Sequence, residues 1–575
     1  MCGIAGYISE SQPIEPSAFN RMRDTLIARG PDGADSKFFR EGRVALGHRR
    51  LAIVDLSEAG AQPMCNETGD VWLTYNGELY NHETLRTELE RLGHRYNSTC
   101  DAETIIHAYE EWGDQCVLRF RGIFAFAIWD SRTGRLFCAR DHLGVKPFYY
   151  LKTSEALIFG SQPKAICAAP NFKPKADPSA FADYLFFGIV PHDRALFEGV
   201  KKLPPGHQLV YEDGSIAVKQ YWKVQYQPEI RDFDEAVSLV GDALESAVSL
   251  QLMSDVPYGS YLSGGIDSSL ITAIAAKSSG SRIPSITVGF DDKKRDERPF
   301  AQLVADHCQT DHHENVLNYK TAMGLVDELA EIYDEPYALG AALPLVFIAK
   351  KTRELGLKVV LAGDGADELF AGYRHYDQMQ SASDPYASYQ PHEAFIHTRE
   401  EMRMAGSAIP DDCQPEWRFR QFYPNGLPST PAAQVLDAKT YLPDEILVKV
   451  DRATMAEGVE ARVPFLDPNL VELAFKIDSS LTYRAGERKA LLKAVARKWL
   501  PDSVLTQRKK GFSIPIRRWL LRPANWLRMV KTVWGGMLIE LKLIDGAQFK
   551  RKGAFLPPVW LWKLYIAELW ARRWL

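Results

Sequence analysis

An α+β unit followed by an α/β unit with a parallel sheet is the architecture this chain predicts, on three observations. At 575 residues the polypeptide is too long for one ordinary core. As far as Trp222, short apolar strands alternate with turn signals. From Asp232 onward the pattern is helix, apolar strand, helix, as parallel sheets require. Polar residues follow Tyr221-Trp222, and the boundary is set there, giving units of residues 1–222 and 223–575.

In the first unit, strands are expected at Val71–Tyr75, Phe124–Trp129, Leu136–Arg140 and Phe148–Leu151. Asn76-Gly77, Arg132-Thr133-Gly134 and Glu212-Asp213-Gly214 serve as turn signals between them. Helices are expected over His82–Leu92 and Asp101–Glu111. In the second unit, helices are expected over Phe233–Ser249, Ser268–Lys277 and Thr321–Ile332, and strands over Tyr258–Leu262, Ser285–Phe290 and Lys358–Leu361. Ser381–Ser429 is polar and proline-punctuated, and predicts an irregular excursion. The Trp- and Leu-rich tail Phe555–Leu575 is broken by Lys563, Glu568, Arg572 and Arg573, which favours a docked amphipathic helix over a membrane-surface anchor.

Composition narrows the function. The 69 basic and 74 acidic residues leave a net charge of −5, so no global field gathers nucleic acid. The short basic cluster Gln507-Arg508-Lys509-Lys510 reads as a solvated loop. Eight scattered cysteines, with no C-x-x-C pair and no His/Cys cluster at zinc spacing, fit a reduced cytoplasmic setting. There is no secretory signal, and no run reaches the roughly 18 apolar residues of a membrane span.

Cys2 becomes amino-terminal once Met1 is removed. An α-amine titrating at about 7.7–8.0 can take the proton of a thiol titrating at about 8.5, so such a cysteine carries its own base. Amide cleavage also needs an oxyanion site and groups to hold the substrate. Asn76, Gly77 and Glu78 offer a side-chain amide, a backbone N–H and a carboxylate, although Asn-Gly is equally the commonest two-residue hairpin turn. Arg50, in the strand-like run Gly47–Val54, could fork a carboxylate or make a surface salt bridge. Asp101 opens a helix and could be its N-cap.

In the second unit, Ser263-Gly264-Gly265-Ile266-Asp267-Ser268-Ser269 follows a strand and opens a helix, a setting where phosphate oxygens bind. Asp267 beside polyphosphate requires Mg²⁺ between them. The Gly-x-x-x-x-Gly-Lys-Ser/Thr pattern is absent, which argues against γ-phosphoryl transfer. A second strand end, Leu361 to Glu368, carries Asp364 and Asp367 among glycines, and in an open parallel sheet its loop could meet the first.

The start Cys-Gly-Ile, Arg29-Gly30-Pro31-Asp32, His48-Arg49-Arg50-Leu51, Asn76-Gly77-Glu78 and Cys100-Asp101 resemble the class II, N-terminal-nucleophile glutamine amidotransferase domain. The resemblance implies an αββα sandwich, Cys2 as nucleophile, Asn76 and Gly77 as oxyanion hole, and a glutamine pocket of Arg50, Ile53, Val54, Glu78 and Asp101. Ser263–Ser269, Gly363–Phe370, Asp451-Arg452, Val459–Asp467, Arg488-Lys489 and Lys509–Phe512 resemble the ATP-pyrophosphatase half of glutamine-hydrolysing asparagine synthetases. This implies ATP and Mg²⁺ as cofactors, and an ATP site of Leu262, Ser263, Gly264, Gly265, Asp267, Ser268, Val288, Ala362 and Gly363. It also implies Asp267 and Asp367 as metal ligands, Lys489 against phosphate charge, and Asp364 orienting ammonia that arrives through an internal apolar passage. The expected chemistry is amidation of a carboxylate, aspartate first, through an acyl-adenylate, with AMP, pyrophosphate and glutamate released; a homodimer is also implied. Leu339-Gly340-Ala341 stands where relatives commonly carry polar residues, so the alternative acceptor is another carboxylate, in a surface glycan or specialised metabolite. A regulatory protein with degenerate sites is disfavoured by intact Cys2, Asn76, Asp267, Asp367 and Lys489.

Overall fold

The computed structural model describes residues 1–292, 296–389, 406–410, 412–415, 417–484, 486–506 and 516–575. The strands of the first unit are β1 (Gly3–Ser9), β2 (Gly33–Phe39), β3 (Val44–Arg50), β4 (Met64–Cys65), β5 (Val71–Leu79) and β6 (Gly122–Asp130). They continue with β7 (Arg135–Arg140), β8 (Tyr149–Lys152), β9 (Ala156–Gly160), β10 (Val200–Lys202), β11 (His207–Glu212) and β12 (Ser215–Gln220). The second unit holds β13 (Tyr258–Tyr261), β14 (Pro284–Phe290), β15 (Asp311–Leu317), β16 (Val359–Leu361) and β17 (Glu460–Arg462).

The first twelve strands form two antiparallel sheets, ordered β10-β8-β9-β1-β3-β2 and β12-β11-β7-β6-β5-β4. Strand β6 shows why the sheets stack. Its Ala125, Ala127 and Trp129 pack with Ile4, Ile8, Val44 and Leu46 of the opposite sheet, whereas Phe124, Phe126 and Ile128 pack with Leu85, Ile105 and Ile106 of the helices His82–Leu92 and Asp101–Trp112. A period of two thus divides the strand between an inter-sheet core and a helix-covered face. The helix Pro16–Asp24 covers the other sheet with Ala18, Phe19 and Met22, completing the expected αββα sandwich.

The second unit has a five-stranded sheet, β15-β14-β13-β16-β17, parallel throughout. From β13 the chain moves to β14 and β15 on one side and later to β16 and β17 on the other, so the loops after β13 and β16 flank the reversal of strand order, where such sheets hold ligands. Within the tail, the helix Pro558–Trp574 is buried on nearly every side rather than along one stripe. Its indoles explain how: Trp562, Trp570 and Trp574 donate Nε1–H to the carbonyls of Ala338, Asp334 and Ala330 at 2.7, 2.8 and 2.9 Å. Its buried charges are matched too, Lys563 donating to Leu185 and Phe186 carbonyls and Glu568 accepting from the N–H groups of Met537 and Leu538. No helix among the described residues is long and apolar enough to cross a membrane.

Two local expectations fail. Asn76-Gly77 is not a turn: β5 runs on to Leu79, with Asn76 opposite Ala125 and Gly77 opposite Phe124 of β6. Long-range pairing overrides the dipeptide's turn preference, and a Cβ at Gly77 would fall 2.1 Å from the Ile123 carbonyl oxygen. The helical region Thr321–Ile332 is broken into Tyr319–Leu325, a 3₁₀ turn and Leu329–Tyr333, ending where Asp334 takes φ +61°. Lys509–Lys510 and the rest of that basic cluster lie outside the described residues, as does the segment 390–405 within the expected excursion.

Two buried histidines give the fold a pH dependence. His48 donates Nε2–H to the Tyr75 carbonyl, tying β3 to β5, and burial with nearby positive charge lowers its pKa to about 3. Burial among the rings of Phe124, Tyr221 and Trp222 lowers that of His142 to about 4. Unfolding returns both to about 6.5, so the unfolded chain binds more protons below that value and stability declines with acidification. At about pH 5 each histidine is expected to cost roughly 2 kcal/mol. The thermal midpoint should therefore fall between about pH 7 and about pH 5, less so in His48→Gln; a flat profile would count against this account.

Candidate active sites

The first pocket is lined by Cys2, Arg50, Ile53, Val54, Gly77, Glu78 and Asp101. Strands β1, β3 and β5 bring them together: Cys2 precedes β1, Arg50 ends β3, and Asn76 to Glu78 lie near the end of β5. The Cys2 N–H donates to Asn76 Oδ1 at 2.9 Å, which turns Asn76 Nδ2 away as the remaining donor. That Nδ2 is fully buried and has no hydrogen-bond partner among the described residues. A buried donor held unpaired is costly, and is the preorganised arrangement an oxyanion would satisfy. Burial pushes the Cys2 thiol above its usual range, against the pull of the neighbouring ammonium and Arg50.

Acids and arginines from both units pack against the residues that line this pocket. The Met1 ammonium lies 3.0 Å from Glu460 and 3.8 Å from Glu78, and Arg462 donates Nε–H to Glu460 at 2.5 Å. Burial, then Glu460 and Asp101, push the Glu78 carboxyl well above the carboxylate range. Glu460 is the ionised member: burial acts against it, but the ammonium, Arg462 and Lys146 hold it at about 2. Arg29 donates Nε–H to the Cys2 carbonyl at 3.1 Å and grips Asp451 with both terminal nitrogens at 2.7 and 3.0 Å. Sequence reasoning missed Glu460 and Arg462 as partners of Met1 and Glu78, residues of the Cys2 pocket. They lie in a quoted motif, but their distance along the chain from Cys2 hides the contact.

Two first-unit residues behave differently from the simplest expectation. Asp101 is not a cap: Cys100 holds the N-cap position, and Asp101 accepts from the Leu79 N–H at 2.8 Å and the Tyr75 hydroxyl at 3.0 Å, fixing its carboxylate at the pocket. Arg50 makes no salt bridge among the described residues; it donates to the carbonyls of Asp55 and Ser57, holding the loop that frames the pocket.

The second site forms where the loops after β13 and β16 touch. A Cβ on Gly363 would fall 2.8 Å from the Ser268 nitrogen, and one on Gly264, at φ +77°, 2.7 Å from that of Ala301, so both glycines permit close backbone approach. Ser263 and Ser268 join hydroxyls at 2.9 Å, Gly265 caps the helix Ile266–Ser278, and Asp267 lies in its first turn. Leu262 and Val288 are buried beside this loop on adjacent parallel strands, the Leu262 N–H donating to Ile286. The Ala362 N–H donates to the Arg462 carbonyl at 2.8 Å.

Lys489, in a left-handed conformation, places Nζ 2.5 Å from Asp267 and 2.7 Å from Asp367. Burial disfavours its charge, but the two aspartates raise its pKa overall. Gly372 keeps this cluster open, since a Cβ there would fall 1.8 Å from Asp367 Oδ1. Two carboxylates converging on one cation are a donor set that suits a hard divalent ion such as Mg²⁺. Asp364 lies nearby, raised by burial and drawn down by Lys449. Behind it, burial pushes Glu368 and Glu445 up to about 8, and the Tyr373 hydroxyl donates to Glu368 at 2.6 Å. Glu368 was one of the three acidic residues read in the loop after β16, whereas Lys449 and Glu445 were not singled out from the sequence, where isolated charged residues on helical segments look solvated.

Residues 1–222 match the glutamine amidotransferase domain model, and residues 239–549 the asparagine synthase model. Asparagine synthetase [glutamine-hydrolyzing] 3 of Bacillus subtilis is 33% identical over 551 residues, 89% of this chain and 87% of its own. Asparagine synthetase [glutamine-hydrolyzing] 1 of the same organism is 32% identical over 574 residues, 92% and 90% of the two chains. The probable asparagine synthetase [glutamine-hydrolyzing] of Dictyostelium discoideum is 29% identical over 550 residues, 89% and 84%.

The Arg29–Asp451 pair joins the two units in the interior, so removing one partner strands the other's charge. Asp451→Leu is expected to destabilise the protein by about 3–5 kcal/mol, seen calorimetrically as a lower thermal midpoint; an unchanged midpoint would show that the pair contributes no net stability.

Proposed function

The chain belongs to the asparagine synthase family, and on that premise we propose that it transfers the amide nitrogen of glutamine to aspartate, using ATP. The observation that carries a coupled two-site reading is the position of β17. Its Glu460 side chain lies 3.0 Å from the Met1 amino group and its Arg462 side chain 3.7 Å from Glu78, two residues that line the Cys2 pocket, while the Arg462 carbonyl accepts from the Ala362 N–H in the loop of the second site. One short strand therefore touches residues of both sites.

In this reading, removal of Met1 leaves the α-amine on Cys2 beside Asn76 Oδ1. That amine takes the thiol proton, and the sulfur attacks the side-chain carbonyl of glutamine. Asn76 Nδ2 and the Gly77 N–H receive the oxyanion, ammonia departs, and water releases glutamate from the thioester. Glu78 and Asp101 hold the substrate ammonium, and Arg50, with Ile53 and Val54, the rest of the amino acid. In the second pocket Ser263, Gly264, Gly265 and Ser268 cradle the phosphates of ATP, and Leu262, Val288, Ala362 and Gly363 flank the nucleoside. Asp267 and Asp367 would hold Mg²⁺, which supplies neutralisation of pyrophosphate charge. Attack of the acceptor carboxylate on the α-phosphate gives an acyl-adenylate and pyrophosphate; Lys489 offsets the developing charge, and Asp364 orients the incoming ammonia, which displaces AMP. The eight free cysteines suit a reduced, cytoplasmic setting.

Leu339-Gly340-Ala341 does not require a different acceptor. Leu339 is buried, and the Ala338 carbonyl beside it is taken by the Trp562 indole of the tail helix, so packing explains an apolar sequence there.

Pyrophosphate release with ATP, Mg²⁺ and glutamine should rise when aspartate is added, with asparagine identified by mass spectrometry; glutamine hydrolysis indifferent to aspartate would overturn the acceptor assignment. Cys2→Ala should abolish glutamine-dependent synthesis and spare synthesis from added ammonia. Asn76→Ala should lower glutaminase kcat by about 10²–10³-fold, and an effect below about threefold would remove it from the oxyanion hole.

A further inference from the structure

Far from the synthetase loops, the helix Asp101–Trp112 carries a cluster that the proposed reaction does not use. His107 is fully buried, and among the described residues neither ring nitrogen makes a hydrogen bond of good geometry. Carboxylates one turn away in each direction face it: Glu110 Oε2 lies 3.4 Å from Nδ1 and Glu103 Oε1 lies 3.8 Å from Nε2. His94 completes the group. The chain leaves the helix His82–Leu92 through Gly93 at φ +107°, which sets the His94 ring 5.0 Å from that of His107. One ligand atom each from His94, His107 and Glu110 lies within 4.8 Å of the other two.

We propose that His94, His107 and Glu110 form a binding site for a divalent transition-metal ion of the zinc class. Two imidazoles and one carboxylate are a zinc donor set, with a fourth position left for water. Ligand atoms at about 2.1 Å from a tetrahedral ion stand roughly 3.4 Å apart, and that is the separation between His107 Nδ1 and Glu110 Oε2. The supporting groups are already fixed. Glu103, facing the other nitrogen of His107, is held by the Asn97 and Ser98 N–H groups and the Ser98 hydroxyl at 2.7, 2.8 and 2.6 Å. Such a carboxylate orients a ligating imidazole. Asn66 Nδ2 donates to Glu110 Oε1 at 2.7 Å and Arg132 lies 3.7 Å from it, which leaves Oε2 turned to the cluster. The Tyr96 ring, 4.6 Å from that of His107, covers one side. Sequence spacing hides the site because thirteen positions separate the two histidines and only the Gly93 turn closes the gap.

A metal here would pin the segment after Gly93 to the helix whose first residue, Asp101, serves the Cys2 pocket. The test uses the full chain with Cys2→Ala, which removes the thiol most able to compete, after stripping by a chelator. Titration with Co²⁺ should give one equivalent of ion with the intense visible bands of four-coordination, displaced by Zn²⁺. The all-oxygen aspartate cluster would give only pale six-coordinate cobalt, which separates the two sites. His94→Ala and Glu110→Gln, both at the rim of the cluster, should lose those bands and bind at least about tenfold more weakly, with thermal midpoints in chelator unchanged. Absence of the visible bands, or bands that persist in both variants, would overturn the proposal.

Discussion

A buried network of acids and bases at the start of the chain is the constraint on which the rest of the molecule depends. Charges withdrawn from water are tolerated only when each meets a partner, and losing one member leaves the other stranded. Here Glu78, Glu460 and Arg462 form one such set, joined by the Met1 amino group before that residue is removed, and Arg29 with Asp451 another, both spanning the two units. The relative placement of the units is therefore fixed by electrostatics as well as by apolar contact. Cys2 lies within reach of both sets, since Arg29 also bonds its carbonyl.

The same rule governs the end of the chain. Of the four tryptophans of the tail helix, three place their indole N–H on backbone carbonyls in the segment 330–338, whereas Trp560 Nε1 is buried without a hydrogen-bond partner among the described residues. That segment in turn leans on the first unit, where Asp334 pairs with Lys164 and Glu335 accepts from the Leu196 N–H and the Tyr149 hydroxyl. The tail helix is thereby tied, through the segment 330–338, to the first unit.

What the sequence discloses is what local pattern can carry. Alternation in Phe124–Trp129 and the switch to parallel-sheet grammar after Asp232 are both short-range signals, and the sheets follow them. Cys2, Asn76, Glu78, Ser263–Ser269 and Asp367 were visible because each sits in a short string whose chemistry is unusual. Asn76-Gly77 misled because a dipeptide's turn preference is small beside nine residues of pairing with β6. Glu460 and Arg462 were readable as a motif but not as neighbours of Met1 and Glu78, for contact between residues so far apart in sequence is a property of the folded chain alone. Asp101 shows the middle case: its place at a helix start was legible, but the use of its carboxylate depended on where β5 would run.

Strand β17 is three residues long, yet it belongs to the architecture of one unit and the chemistry of the other. A second unit taken from another chain would have to bring its own acid and arginine at these positions, or leave Glu78 without its Arg462 partner. The narrowest element of the fold thus sets the limit on how the two halves can be recombined.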